Sequence, residues 1–148
     1  MTSAIPAEPG SAAANRAVVT AYHQALWRDG DQGAIDRYWD PAAVVHMTDF
    51  EGTAVDVVRE DVTRYFGAFT EIETRIDHLV AEGDRVVLHW TTFGLHVGPY
   101  GDVAATGKRI TMTGMDLFRI AGGRIVECWS MWDGLSVYDQ LGVLKIGA

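Results

Sequence analysis

A chain of 148 residues and 16.2 kDa matches one ordinary domain with its own core, which excludes a multidomain enzyme. Hydrophobic residues at 48% and charged residues at 22% are those of a globular protein, and 16 Gly without a repeat exclude both collagen-like and disordered chains. Twelve basic against 20 acidic side chains leave a net charge of −8, which repels phosphate backbones and anionic lipid surfaces alike, so neither nucleic acid nor a membrane is an expected partner.

A leader over residues 1–14, with neither a basic stretch nor an apolar run, precedes a single domain over 15–148. Val18, Val19, Tyr22 and Leu26 recur at helical spacing. Gly30 ends that helix, Asp31 is placed to cap a second one carrying Ile35, Tyr38 and Trp39, and Pro41 stops it. Ala43 to Met47 reads as a short strand, followed by a loop over Thr48 to Gly52. Thr53 and Asp56 have the spacing of a capping box, opening a third helix whose apolar stripe runs from Val55 through Val58, Val62, Tyr65 and Phe66 to Phe69.

From Thr74 the period changes to two, predicting strands over Arg75–Ala81, Arg85–His96, Arg109–Ala121 and Arg124–Trp132, joined at Gly-bearing turns. The run Leu135 to Leu144 predicts a closing helix, with Asp133 as its cap. Three helices followed by long hairpin-linked strands predict an α+β fold in which a curved sheet covers helices on one side.

Alternation in the strands points to a pocket. Val86, Leu88, Trp90 and Thr92 share the apolar face, and His96 joins them if the phase survives Gly94. Met112, Gly114, Asp116, Phe118 and Ile120 share a face of the next strand, which places one carboxylate among apolar neighbours. Burial there raises a carboxyl group's proton affinity toward the range of a general acid or base. His46 is polar within an apolar strand and is the third candidate catalytic residue, after Asp116 and His96. Trp90, Phe66, Phe69, Met112 and Trp132 are the expected walls.

In the last strand, Val126, Cys128, Ser130 and Trp132 oppose Ile125, Glu127, Trp129, Met131 and Asp133, and neither set is clearly the outer one. A second subunit covering the outer face accounts for this, predicting a homodimer or homotetramer. One cysteine, Cys128, allows no intrachain disulfide and fits a cytoplasmic protein with a core thiol. Five His without His-x-His or i,i+4 spacing predict no metal, and the lack of GxSxG, Walker, GxGxxG and HExxH patterns leaves a cofactor-free small-molecule site.

Gly94-Leu95-His96-Val97-Gly98, Thr106-Gly107-Lys108, Gly114-Met115-Asp116, Phe118-Arg119-Ile120, Gly123-Arg124-Ile125-Val126-Glu127 and Gln140-Leu141-Gly142 together resemble the SnoaL-like polyketide cyclase family, over Arg16 to Leu144. The resemblance implies an NTF2-like cone-shaped α+β barrel, with three N-terminal helices packed on a curved, mixed or antiparallel sheet. It also implies an aldol-type ring closure of a hydrophobic polyketide-like ligand without cofactor or metal. Those cyclases carry an acid/base Asp on the last strand and an assisting His on the strand before it; the matching positions here are Ser130 and Asp116. A serine hydroxyl takes up no proton near neutrality. The chemistry is therefore expected to rest on Asp116 as base, with His96 or His46 donating to the developing oxyanion and Ser130 orienting substrate. The alternatives are a cofactor-independent hydroxylase and a non-catalytic carrier of a hydrophobic ligand.

Overall fold

A computed structural model describes residues 7–47 and 53–145. Helix α1 (Ala12–His23) continues directly into a π-helical turn (Gln24–Arg28), and α2 (Gly33–Tyr38) leads into β1 (Trp39–His46). Then follow α3 (Ala54–Ala68), β2 (Phe69–Glu82), β3 (Arg85–His96), β4 (Arg109–Ala121), β5 (Arg124–Trp132) and α4 (Gly134–Gln140). The five strands form one open, curled sheet in the order β1-β5-β4-β3-β2, with β1 parallel to β5 and the other pairs antiparallel. The α+β class expected from the pattern is the class observed. The helices do not form one N-terminal block: β1 separates α2 from α3, and α4 closes the fold from the other end of the chain.

The core lies between the helices and the inner sheet face. Val19, Tyr22 and Leu26 meet Val86, Leu88, Phe118, Ile120 and Cys128 there, all buried. Helix α1 starts inside the expected leader, because the Ser11 hydroxyl accepts from the Ala14 N–H at 3.1 Å. Asn15 ties this helix to the β2–β3 turn by donating to the Gly83 carbonyl at 3.1 Å.

Local chemistry revised several boundaries. Strand β1 starts at Trp39 and contains Pro41, which an edge strand tolerates because its missing N–H has no partner to lose. Thr53 does precede α3, but its hydroxyl donates to Asp56 at 2.7 Å instead of accepting from the helix backbone. Asp31 accepts from the Gly33 N–H at 3.0 Å, one residue ahead of the α2 cap. Asp133 caps α4 as expected, accepting from Ser136 at 3.0 Å. The expected loop over Thr48 to Gly52 lies outside the described residues.

Strand β2 starts at Phe69, six residues before the expected Arg75, because register shifts at Thr70/Glu73 and Ile76/His78 break its alternation. A further shift separates Arg119↔Glu127 from Ile120↔Ile125. It turns Ile125 inward with Cys128, where strict alternation had placed Val126. Gly122 and Gly123 both have positive φ, at 56° and 74°, as the tight β4–β5 hairpin requires.

Candidate active site

The phase across β3 and β4 runs without a bulge, so Trp90 pairs with Gly114 and Leu88 with Asp116. A Cβ on Gly114 would lie 2.2 Å from the Trp90 ring, so the absent side chain is what lets the indole lie over β4. From there the Trp90 Nε1–H donates to Asp116 at 2.9 Å. Ser130, the direct partner of Asp116 across β4 and β5, donates its hydroxyl to the other carboxylate oxygen at 2.6 Å. Three adjacent strands thus hold one carboxylate with two donors.

Asp116 opens on a cavity between the sheet and the helices, with Trp90, Met112, Ser130 and Trp132 in its wall. Burial raises its pKa to about 6, although the Ser130 and Trp90 hydrogen bonds oppose the rise, and the charge of Asp61 adds to it. A carboxylate with a pKa raised to about 6 is mostly ionised at neutral pH and has the proton affinity suited to a general base.

The other two candidates for acid/base work are not in this wall. His46 lies on the outer sheet face, where Nε2 meets Glu127 at 3.0 Å and the ring stacks on Trp129 at 5.0 Å. The reason is period two: Ala43 and Val45 take the inward positions of β1, so Val44 and His46 face out. His96 does point inward, past Gly94 and in phase with Trp90, but it is sealed in the core beyond the cavity. Its Nδ1 accepts the Thr106 backbone N–H at 3.2 Å and meets the Thr106 hydroxyl at 2.9 Å, tying the β3–β4 connection to the strand end. Phe66 stacks on Trp27 at 6.0 Å, and Phe69 packs against Tyr65, His96 and Tyr100; both support the wall from behind and do not line it.

Other residues line the cavity without having been singled out by sequence. His23 and Thr92 belong to a chain in which His23 Nε2 meets the Thr74 hydroxyl at 2.9 Å and Thr74 meets Thr92 at 3.1 Å. Burial lowers the His23 pKa to about 4, so this imidazole is neutral at physiological pH. Asp61 enters from α3, paired with Arg64 at 3.1 Å, and burial raises its proton affinity as well. Its spacing carried a signal, because Val57, Asp61 and Tyr65 lie four residues apart on the buried stripe. Tyr65, Tyr100, Trp27 and Met47 complete the lining. Among the described residues no cluster of three His, Cys, Asp or Glu could hold a metal ion, and no helix is long and apolar enough to cross a membrane.

The model of the SnoaL-like polyketide cyclase family matches residues 17–141. The chain belongs to this family. It is 29% identical over 129 residues to the aklanonic acid methyl ester cyclase DauD of Streptomyces sp. (strain C5), covering 86% of this chain and 78% of that protein. Among solved structures it resembles AclR of Streptomyces galilaeus, a proposed hydroxylase, with a TM-score of 0.84 and 27% identity over 93% of this chain and 91% of the other. TsrD of Streptomyces laurentii superposes with a TM-score of 0.80 at 26% identity, covering 90% and 98% of the two chains. This member of the family has its cavity carboxylate on β4, with a serine facing it from β5.

Proposed function

We propose that this chain is a cofactor-independent enzyme of secondary metabolism that closes or isomerises a largely apolar, ketone-bearing polyketide-like substrate by proton transfer at carbon. The observation that carries the reading is the Asp116 carboxylate, open to an aromatic-walled cavity and held by Trp90 and Ser130. In the ionised state both donors stabilise its charge; on abstraction of an acidic C–H proton the substrate becomes an enolate that can attack a second carbonyl. The relatives named for cyclising aklanonic acid methyl ester make that compound the first substrate to assay. Turnover lost about 10²–10⁴-fold in Asp116→Asn supports the reading, and wild-type turnover in that variant sinks it.

The likeness to AclR favours a second reading, hydroxylation of an aromatic polyketide with molecular oxygen. Stoichiometric oxygen uptake with substrate selects it over ring closure, which consumes none. A ligand bound and returned unchanged would select the carrier instead.

A homo-oligomeric, cytoplasmic protein goes with this reading. The homo-oligomer is supported by the outer sheet face, where Met131 is 72%, Met115 50% and Val44 46% exposed around Trp129, and the cytoplasmic location by the lone, unpaired Cys128.

A further inference from the structure

With His46 outside and His96 sealed, the cavity still needs a donor for the oxygen on which charge develops. Two side chains answer that need. Tyr65, on α3, and Tyr100, in the β3–β4 connection, line the same cavity as Asp116 and are only 6% and 5% exposed. No hydrogen bond among the described residues occupies either hydroxyl, and neither oxygen is one of the buried polar atoms left without a partner, so both keep access to the cavity. An accessible phenol that no side chain or backbone group occupies is available to donate to a molecule bound in the cavity it lines.

We propose that Tyr65 and Tyr100 form a hydrogen-bond donor pair for a carbonyl oxygen of the substrate, making them catalytic residues beside Asp116. The pair is built in advance of any ligand. Phe69 lies 5.0 Å from the Tyr65 ring and 5.3 Å from the Tyr100 ring, wedging both. The connection carrying Tyr100 is fastened to the end of α3, because Val97 and Gly98 both donate to the Ala68 carbonyl, at 2.9 and 3.0 Å. A Cβ on Gly98 would stand 2.3 Å from the Gly67 carbonyl oxygen, so only glycine permits this approach. The Arg64 guanidinium sits 5.6 Å over the Tyr100 ring, and its charge favours donation by that phenol. Burial holds both phenols protonated at physiological pH, as donors must be.

The inference rests on Asp116 as base and adds the electrophilic half of the reaction. Asp116 takes the proton from the carbon beside one carbonyl, and the C–H electron pair becomes a C–C bond to the carbon of a second. The π pair of that second carbonyl moves onto its oxygen, which the phenols hold until the proton on Asp116 passes to it. Proton count and charge are restored at the end of the cycle.

The probe is 2-naphthol, whose naphtholate is an oxyanion with its own absorption band, bound to the Asp116→Asn protein so that no carboxylate charge at that position competes. Naphtholate bound in preference to naphthol, with about tenfold of that preference lost for each hydroxyl removed in Tyr65→Phe and Tyr100→Phe, is the expected result. Tyr138→Phe, a neighbour of Tyr100 absent from the cavity wall, leaves it unchanged. A preference that survives the double Phe variant in a protein with an unaltered melting profile overturns the proposal, and so does the absence of any naphthol binding to the Asp116→Asn cavity. If the donor pair passes while Asp116→Asn in the otherwise native chain turns over substrate at full rate, the donors stand and the base assignment falls.

Discussion

Asp116 carries two opposed consequences of burial, one for stability and one for activity. Its folded-state pKa is raised from 3.8 to about 6, so the folded protein binds this proton more tightly than the unfolded chain. The contribution is therefore fully favourable below the unfolded value and is lost as pH rises through about 6. A rise of roughly two pKa units corresponds to about 3 kcal/mol, and the neutral amide of Asp116→Asn recovers part of it, ~1–2 kcal/mol above pH 7. Thermal melts at pH 7.5 are expected to show the inactive variant as the more stable protein. Turnover, in contrast, is expected to rise with pH through about 6 as the base ionises. Ser130→Ala removes a bond that favours the ionised form, so the acid limb of the pH–rate profile moves to higher pH. His46→Ala is expected to leave kcat/KM within about twofold, because its partners Glu127 and Trp129 are on the other side of the sheet; a 100-fold loss would place this face in the reaction.

At the scale of elements, the site depends on an unbroken register between β3 and β4. Gly114 is the point where it is most sensitive, since the Trp90 ring occupies the space of a Cβ and the Met131 carbonyl oxygen would lie 2.8 Å away. Gly114→Ala is expected to cost about 1–3 kcal/mol and to displace Trp90 from Asp116, detectable as a lower denaturant midpoint together with a shifted pH–rate profile. The inward phase of Asp116 and Trp90 was legible in the sequence because period two held throughout these two strands. It was not legible in β2 and β5, where bulges near Glu71, Asp77 and Val126 each insert a residue and reverse the faces. His46 faces out for a different reason: the strand was recognised, but in β1 the odd-numbered Ala43 and Val45 fill the core, which leaves Val44 and His46 on the outer face.

For the whole molecule, the proposed homo-oligomer is tested at the outer sheet face, where Met131 and Met115 are exposed. Met131→Asp together with Met115→Asp is expected to shift a dimer or larger assembly toward monomer in sedimentation, because two desolvated carboxylates oppose burial of that face. Unchanged sedimentation would place the contact elsewhere. The cavity belongs to this scale too, for it is assembled from the end of α1, the middle of α3, the β3–β4 connection and three strands. Composition, hydrophobic period and turn chemistry determined the α+β class, most elements and the presence of one carboxylate on an apolar face, since these are properties of neighbours along the chain. Strand alternation also placed Trp90, Met112, Ser130 and Trp132 beside Asp116, whereas tertiary structure alone brought the remaining side chains to the cavity. Asp61, Tyr65 and Tyr100 reach it from helix and loop, and the distance between such segments is set by how the layers pack, which no local spacing records.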